Sequence, residues 1–272
     1  MRAINPSIVY TVISGFGAKG PRSADPAYDG AIQAAAGMMA NNGTAESGPL
    51  RTGYMPVDLM TGMTAAYATT AALLRKQKTG KGQMVDVAML DCAITLGSAN
   101  FSRSEVDDIP DMLIGNQSIA GAPTASSFPT AEGSILTAAI MPKHVEAFFD
   151  ELGLKEMVND PKFATPEARI ENKEIVRDAM IEALKSDTAE NWEKRLAPRG
   201  VPVATINSVK ETARLAQLQY RNILTAVPAA KGMASGYKLP GAPFTNSEDG
   251  PEVMRPAPVL GQHTAVSYTH LR

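Results

Sequence analysis

The sequence predicts an α/β fold followed by a smaller α+β region, and three observations lead to this prediction. In the first hundred residues, short apolar runs rich in β-branched side chains alternate with helical stretches, which is the order of an α/β layer. Residues 107–129 then lose all periodicity and are dominated by Gly, Pro, Ser, Asn and Ala. Beyond this segment, a strand pattern is followed by several amphipathic helical patterns, which indicates a second region.

The first region is assigned as follows. Residues 7–14 form a β-branched and aromatic run that is typical of a buried strand. Residues 59–78 are apolar or small on nearly every side and end in basic side chains. This pattern predicts a buried helix, because cations are favourable at a helix C-terminus. Two glycines interrupt the helix, and a strand over 83–89 and a helical stretch over 90–102 follow.

The second region is predicted from helical periodicity. In residues 142–152, which begin with a proline, apolar residues recur at i, i+3, i+4 and i+7. They are Val145, Phe148, Phe149 and Leu152. Asp187 and Thr188 precede another amphipathic stretch, so they are candidate N-caps. From residue 222 onward, Pro and Gly recur without periodicity, which predicts irregular structure. The predicted elements are strands over 134–140 and 201–203 and helices over 142–152, 171–185, 189–196 and 208–218.

Composition excludes several kinds of function. The 272 residues carry 26 basic and 28 acidic side chains, a net charge of -2, so we expect neither nucleic acid nor a membrane as partner. One Cys and three His make a disulfide framework, a Cys-rich zinc site or a His cluster impossible within one chain, and we expect no metal. The least polar stretch, residues 59–74, is too short for a membrane span, and the first residues lack the apolar segment of a secretory signal. We therefore expect a cytoplasmic protein that uses carboxylates, hydroxyls or backbone amides.

A Gly-x-Gly-x-x-Gly spacing occurs at residues 15–20, directly after the first predicted strand. A dinucleotide fingerprint needs a helix that begins at the third glycine, because the amide groups of that helix bind the pyrophosphate. Here Pro21 follows the third glycine, and the next residues do not continue as a helix. The motif therefore favours a tight turn over a nucleotide site.

From the residues alone, two interpretations of Asp58 stay open. Asp58 lies at the start of the predicted 59–78 helix, where Asp is among the best N-capping residues. The same position suits a reactive carboxylate, because the helix dipole keeps the carboxylate ionised and the small residues Thr61 and Gly62 leave room for a substrate. Tyr28, by contrast, is more typical of a core aromatic residue than of a site residue.

Several short motifs occur along the chain in a characteristic order. They are Ser14-Gly15-Phe16-Gly17 with Gly20-Pro21, Tyr28-Asp29 with Gln33, Val57-Asp58-Leu59 with Thr61-Gly62, Thr79-Gly80-Lys81-Gly82-Gln83 with Val85-Asp86-Val87, Gly115-Asn116, Phe128-Pro129-Thr130 with Gly133, Asp160-Pro161 with Phe163, Gly200-Val201-Pro202, and Leu260-Gly261-Gln262-His263-Thr264. No single motif is specific, but their joint order resembles the class III CoA-transferase family. The match runs from about residue 4 to residue 264.

The resemblance implies that Asp58 is the catalytic carboxylate. In this family the Asp attacks an acyl-CoA thioester to form an acyl-aspartyl anhydride, the CoA thiolate returns to give an aspartyl-CoA thioester, and the acceptor acid attacks that thioester. Coenzyme A is thus expected as part of a substrate, with no permanently bound cofactor. An aspartate is ordinarily ionised at neutral pH and needs no partner base, which fits a chain poor in His and Cys. The resemblance also implies that Tyr28 lines the thioester site and that a loop with Gly115, Asn116 and Gly121 lies over it.

Two alternatives to a transferase remain. α-Methylacyl-CoA racemases share the fold but place a His where this sequence has Tyr28. Racemisation needs a proton acceptor on each face of the α-carbon, and a tyrosine is a poor second base at neutral pH, so Tyr28 favours a transferase. The other alternative is a non-catalytic fragment that binds acyl-CoA or dimerises.

The resemblance also implies a domain organisation with a Rossmann-like large domain, a small α+β domain and an interlocked homodimer. Residues 1–105 are expected to be the C-terminal part of the large domain, whose N-terminal portion is expected to be missing, and residues 106–124 a linker or loop. Residues 125–221 are expected to form the small domain, and residues 222–265 to return to the large one. Residues 266–272 resemble nothing before them and are expected to be an artefactual tail. The implied partners are an acyl-CoA and a carboxylic acid acceptor.

Overall fold

The protein has a mixed α/β fold, and its computed structural model describes residues 3–229, 232–250 and 255–264. In chain order the elements are β1 (Val9–Ser14), α1 (Asp29–Ala35), a 3₁₀ turn (Met39–Asn41), β2 (Gly43–Thr44), β3 (Gly48–Pro49), α2 (Pro56–Thr79), β4 (Gln83–Ala88), α3 (Met89–Leu96), α4 (Ser98–Asp107), β5 (Ser127–Pro129), β6 (Ser134–Thr137), α5 (Pro142–Glu151), α6 (Glu156–Asn159), α7 (Pro166–Glu171), α8 (Lys173–Leu184), α9 (Ala189–Leu196), a 3₁₀ turn (Ala197–Arg199), β7 (Val203–Thr205), α10 (Val209–Thr212), α11 (Ala216–Tyr220), β8 (Leu224–Val227) and β9 (Tyr237–Pro240).

The first region places the long helix α2 against a pair of parallel strands. β1 and β4 pair in parallel from Val9 opposite Gln83 to Ser14 opposite Ala88. Parallel strands need a long crossover, and here the crossover contains α1, the hairpin of β2 and β3, and α2. α2 contacts β1, β4, α1 and α3. The side chains that α2 buries are Val57, Thr61, Ala65 and Ala72.

Both ends of α2 follow from its sequence. Pro56 occupies the first turn, where the missing N–H of a proline is no loss. At the other end, the Gly80 N–H donates to the Lys76 carbonyl at 2.7 Å, and Gly80 adopts the left-handed conformation with φ 68°. Glycine reaches that conformation without strain, so it ends the helix at low cost. The helix predicted over 59–78 is confirmed and extends over Pro56–Thr79. The prediction that it is buried is wrong, because Leu59, Met63 and Tyr67 are each more than 60% exposed.

Other elements of the first region differ from the sequence prediction. The tight turn at residues 15–20 is confirmed, because the chain stays irregular from there to Tyr28. α1 is not predicted by the pattern, since its seven residues are too few for periodicity to show. The helical stretch predicted over 90–102 is divided into α3 and α4 at Gly97, where φ and ψ are -88° and 14°. Glycine is unfavourable inside a helix, which fits a break at this point.

The second region surrounds one large apolar core. β5, β6 and β7 form an antiparallel sheet in that order, α8 and α9 pack on it, and α5 packs against α9. The periodicity-based helices over 142–152, 171–185 and 189–196 are confirmed as α5, α8 and α9. Thr188 is the N-cap of α9, as predicted, and its Oγ1 accepts from the Asn191 N–H. The largest core side chains are Phe128, Ile135, Phe148, Phe149, Met180, Leu184, Trp192 and Leu196.

The C-terminal part of the second region departs from the sequence prediction in two places. The strand predicted over 201–203 is β7, which begins only at Val203, because Pro202 has no N–H for a ladder. The single helix predicted over 208–218 is instead α10 and α11. Ser208 and Glu211 form a reciprocal capping box that encloses only the short α10.

The segment after residue 222, predicted to be irregular, contains a hairpin. β8 and β9 pair in antiparallel register from Leu224 opposite Pro240 to Val227 opposite Tyr237. The expected tail at residues 266–272 lies outside the described residues. The domain boundaries at residues 105, 124, 221 and 265 stay predictions. Within the described ranges, none of the helices has both the length and the hydropathy needed to cross a bilayer.

Candidate active site

Asp58 lies in the first turn of α2 with an exposed carboxylate. Its neighbours Val57 and Thr61 are buried, so the backbone around Asp58 is fixed while its side chain faces solvent. Among the described residues, nothing donates a hydrogen bond to this carboxylate. A free carboxylate in the first turn of a helix is favoured by the helix dipole, and it is available to react.

The N-capping interpretation of Asp58 is wrong. The residue at the N-cap position of α2 is Met55, whose side chain makes no capping hydrogen bond. The free amide groups of the first turn are instead bonded by Asp29. Its Oδ2 accepts from the N–H of Val57 at 2.9 Å and from the N–H of Asp58 at 3.1 Å. The cap of α2 thus comes from α1, and the Asp58 carboxylate is left free.

Tyr28 occupies the N-cap position of α1, directly before Asp29. Its carbonyl accepts from the N–H groups of Ala31 and Ile32 at 3.0 and 3.1 Å. Its side chain is 85% exposed, so the interpretation of Tyr28 as a core aromatic residue is wrong. Because Asp29 bonds the Asp58 amide, the N-terminal ends of α1 and α2 meet. The structure therefore brings Tyr28 and Asp58 to the same part of the fold.

Gly115 is held on the hairpin of β2 and β3. Its N–H donates to the Gly43 carbonyl at 2.7 Å, and Ile114 forms an isolated bridge with Thr44. Gly115 has φ 59°, and a Cβ added there would lie 2.9 Å from Thr44 Cγ2. A side chain at this position would therefore be strained and crowded, which explains the glycine.

Asn116 and Gly121 belong to the same loop but lie toward the second region. Asn116 Nδ2 donates to Ser127 Oγ at 3.1 Å. Gly121 lines a cavity of about 120 Å³ together with Lys173 and Arg177 of α8. Among the described residues, no hydrogen bond joins Gly115, Asn116 or Gly121 to Tyr28 or Asp58. The structure thus places Tyr28 and Asp58 at adjoining helix ends. The hydrogen bonds of the loop go to other elements.

The strongest electrostatic cluster is elsewhere, at the surface of the second region. The Arg199 guanidinium hydrogen-bonds Asp150 and also Glu151, the latter at 2.6 Å. Arg199 holds the pKa of the Asp150 carboxyl below its ordinary value, and the carboxylates in turn raise the pKa of Arg199. These charges satisfy one another, so the cluster is a structural ion-pair network. No group of acidic, His or Cys side chains suited to a metal occurs in the described ranges.

Comparison with known proteins identifies the family. The sequence profile described as CoA-transferase family III matches residues 1–264. The chain belongs to CoA-transferase family III. This confirms the resemblance drawn from the ordered motifs, and family III enzymes act on acyl-CoA substrates.

Several relatives of this chain are named as CoA-transferases. The chain is 29% identical over 276 residues to the succinate–glutarate CoA-transferase of Agrobacterium fabrum, covering 97% of this chain and 66% of that protein. It is 31% identical over 265 residues to the acetyl-CoA:oxalate CoA-transferase of Acetobacter aceti, covering 96% of this chain and 66% of that protein. A CAIB/BAIF family structure from Brucella suis matches with a TM-score of 0.83 at 25% identity, covering 100% of this chain and 70% of that chain. The chain thus spans about 66% of the length of these two transferases.

The sequence analysis does not identify three polar residues that hydrogen-bond one another beside the candidate site. They are Asp29, Gln33 and Thr52. Asp29 and Gln33 belong to a motif of the resemblance, but neither receives a role from it. Thr52 belongs to no motif at all. Asp29 and Gln33 are buried, and Gln33 bonds both Asp29 and Thr52. The available signal was the spacing of Asp29 and Gln33, since residues four apart share one face of a helix.

Proposed function

We propose that this protein is a CoA-transferase that moves CoA from an acyl-CoA to a carboxylic acid, with Asp58 as nucleophile. The observation that supports this most directly is the exposed Asp58 carboxylate in the first turn of α2, with its backbone amide bonded to Asp29. Membership of family III supplies the acyl-CoA substrate class. Tyr28, at the adjoining N-terminus of α1, lines the thioester site in this proposal.

The proposed reaction has four steps that conserve atoms and charge. An Asp58 carboxylate oxygen attacks the thioester carbonyl and the C–S bond breaks. CoA departs as a thiolate, and the enzyme carries an acyl-aspartyl anhydride. The thiolate then attacks the aspartyl carbonyl and releases the donor acid as a carboxylate, which gives an aspartyl-CoA thioester. The acceptor carboxylate attacks this thioester, forms a second anhydride and expels the thiolate again. Attack of the thiolate on the acceptor carbonyl gives the new acyl-CoA and restores Asp58.

Each of these steps passes through a tetrahedral oxyanion. N–H groups that point toward the oxyanion oxygen stabilise it. We assign this role to the loop that carries Gly115, Asn116 and Gly121. Positive φ at Gly115 and Gly121 turns the backbone of this loop. The N–H groups of these two glycines donate to the Gly43 and Ser118 carbonyls, so the oxyanion donors in this proposal are other N–H groups of the loop. In the full enzyme we expect a homodimer built on a Rossmann-like large domain and a small α+β domain, working in the cytoplasm.

The acceptors proposed first are short dicarboxylic acids. The two transferases described above are named for succinate and glutarate and for acetyl-CoA and oxalate. A panel of succinyl-CoA, formyl-CoA and longer acyl-CoAs against oxalate, succinate and glutarate therefore tests donor and acceptor together. Turnover of any pair excludes a purely binding role for the protein.

The decisive experiment traps the aspartyl-CoA thioester. The full-length protein is incubated with succinyl-CoA and then with hydroxylamine, and the peptide that contains Asp58 is examined by mass spectrometry. We expect an aspartyl hydroxamate at Asp58 that requires succinyl-CoA and is absent from Asp58→Ala. Asp91→Ala is the matched control, because Asp91 is also an exposed carboxylate in the first turn of a helix, and it should retain the adduct. A hydroxamate that requires succinyl-CoA and lies on another peptide of Asp58→Ala contradicts the assignment.

The racemase alternative has its own measurement. A racemase exchanges the α-proton of a 2-methylacyl-CoA with solvent, whereas the proposed transferase leaves that proton in place. We expect no deuterium in 2-methylacyl-CoA after incubation in D₂O. Deuterium incorporation at the α-carbon, lost in Asp58→Ala, would support a racemase.

A further inference from the structure

Asp29 connects the two helices whose N-terminal ends form the candidate site. Pro56 has no N–H, so the first amide donors of α2 are those of Val57 and Asp58. Both donate to one carboxylate oxygen, Asp29 Oδ2, from 28 and 29 residues away in sequence. Asp29 is only 6% exposed, so its carboxylate is committed to these bonds and is shielded from competing water.

The other oxygen of Asp29 is fixed as tightly. Oδ1 accepts from Gln33 Nε2 at 2.5 Å, and Gln33 Oε1 accepts from the Thr52 N–H at 3.0 Å. Gln33 Nε2 also donates to Thr52 Oγ1 at 2.9 Å, and that hydroxyl donates to the Tyr54 carbonyl at 2.9 Å. Gln33 is 1% exposed. Each donor in this Asp29–Gln33–Thr52 network faces an acceptor, so Asp29 has one favourable orientation.

We propose that Asp29 is a positioning residue for the transferase reaction: its buried carboxylate caps α2 and thereby fixes the backbone of Asp58 relative to Tyr28. This inference rests on the proposed function of Asp58 as nucleophile. Because Asp29 bonds the amide of Asp58, the carboxylate of Asp58 extends from an anchored backbone while its own oxygens stay free. A nucleophile gains most when its reacting atom is held within a fraction of an ångström of the attack geometry.

The donor and acceptor pattern of the network suggests a variant that disturbs it selectively. In Asp29→Asn, the amide oxygen replaces Oδ2 and keeps the bonds from Val57 and Asp58, but the amide nitrogen then faces Gln33 Nε2. If the Gln33 amide rotates by 180°, its oxygen accepts from the new amide at position 29, but its nitrogen then opposes the Thr52 N–H donor. One opposed pair of donors is therefore unavoidable in Asp29→Asn. We expect the capping carboxamide to be displaced while its volume is unchanged.

A second substitution restores the bonds of residue 33 to residue 29 and to the Thr52 N–H, and loses only the bond to Thr52 Oγ1. In the double variant Asp29→Asn/Gln33→Glu, the new amide nitrogen at position 29 donates to one oxygen of the new carboxylate at position 33, and the other oxygen accepts from the Thr52 N–H. The net charge of the network is the same as in the natural protein. A positioning role therefore predicts rescue by the double variant, whereas Gln33→Glu alone should be impaired because it opposes two carboxylates.

The experiment measures single-turnover formation of the Asp58 adduct with succinyl-CoA, together with steady-state kcat and KM. We expect Asp29→Asn to slow adduct formation and kcat by about 10- to 100-fold, with KM for succinyl-CoA changed less than about twofold. The double variant should recover most of this loss. Thr137→Val is the stability control, because Thr137 is a buried hydrogen-bonding residue of the second region that donates to the Thr124 carbonyl. It should be destabilised without slower adduct formation.

The outcomes separate the two proposals. If the natural protein forms no adduct at Asp58, the proposed function fails, and the positioning role fails with it. If the natural protein forms the adduct and a folded Asp29→Asn forms it equally fast, only the positioning role fails. If Asp29→Asn does not fold, Thr52→Val decides the question, because it removes only the outer hydroxyl bonds. A folded Thr52→Val with unchanged kcat would then overturn the proposal, and a reduced kcat at unchanged KM would support it.

Discussion

The two regions of the molecule are held together in different ways. The second region encloses large side chains such as Phe148, Phe149 and Trp192 in one core that extends from Phe128 to Val201. The first region has two small clusters, one around Ile32 and Val57 and one around Val87 and Cys92. Around Asp58, the geometry is set by the hydrogen bonds of Asp29 as much as by packing. The large apolar side chains are therefore concentrated in the second region, and the proposed chemistry in the first.

The outer face of α2 shows the same contrast. Leu59, Met63 and Tyr67, spaced four residues apart, line one side of the helix and are each more than 60% exposed. The buried side of the helix carries small residues such as Ala65 and Ala72. A helix that is apolar on both sides is typical of a buried position, whereas α5 and α9 are polar on the side away from the core.

The largest effect that we expect separates chemistry from stability. Asp58→Ala should lower kcat by at least about 10³-fold, because it removes the proposed nucleophile. The free energy of unfolding should change little, since the Asp58 carboxylate is exposed and accepts no hydrogen bond from the described residues. Steady-state kinetics and urea unfolding of the same preparation measure both quantities. A large loss of stability would show that Asp58 serves the fold and would remove the contrast between the regions.

The second prediction concerns the core of the second region. Phe148 is fully buried, and Phe148→Ala should lower the free energy of unfolding by about 3–5 kcal/mol. Leu59 is 64% exposed, and Leu59→Ala should change the free energy of unfolding by no more than about 0.5 kcal/mol. Chemical denaturation followed by tryptophan fluorescence reports directly on this core, since Trp192 lies in it. A loss of several kcal/mol in Leu59→Ala would mean that the outer face of α2 is covered in solution.

The third prediction compares a local helix cap with the remote one. α9 is capped by its own N-cap residue, Thr188, whereas α2 is capped by Asp29 from another helix. Thr188→Ala should cost about 1 kcal/mol of unfolding free energy and leave kcat unchanged. Thr188→Ser is the control and should restore the stability. A reduction of kcat in Thr188→Ala as large as the one expected in Asp29→Asn would contradict a positioning role. It would show that Asp29 affects kcat only through the stability of the fold.

The smallest effect is expected at the ion-pair network of Arg199. Arg199 keeps the pKa of Asp150 below its ordinary value of 3.8. A carboxyl group with a lowered folded-state pKa contributes stability above its unfolded-state pKa, and this contribution is lost as the pH falls through the folded-state value. In Arg199→Met the pKa of Asp150 should return toward 3.8, so the loss of stability below pH 3.8 should become shallower. Thermal unfolding at several acidic pH values measures the slope. An unchanged slope would assign the pKa of Asp150 to Lys155, its other basic partner.

Periodic patterns along the sequence were sufficient for three helices of the second region, but not for the short helices α6, α7, α10 and α11. α5, α8 and α9 each place apolar residues on one face, and a single core satisfies all three faces. The pattern failed where elements are short or depend on distant partners, as for α1, the hairpin of β2 and β3, and the hairpin of β8 and β9. These elements obtain their stability from residues far away in sequence. Periodicity is evaluated over a short stretch of sequence and therefore does not report such contacts.

The sequence by itself determined the family, the long helix α2 and Asp58 as the candidate nucleophile. Ordered motifs and an apolar run are properties of the chain alone, so they are readable before folding. Only the tertiary structure decided that Asp58 does not cap its own helix, that Tyr28 is exposed, and that Asp29 joins the two helix ends. The physical reason is that the unpaired amide groups of α2 can be satisfied by any acceptor that folding brings to them. The acceptor in this protein is a buried carboxylate 28 residues away from the first of those amides.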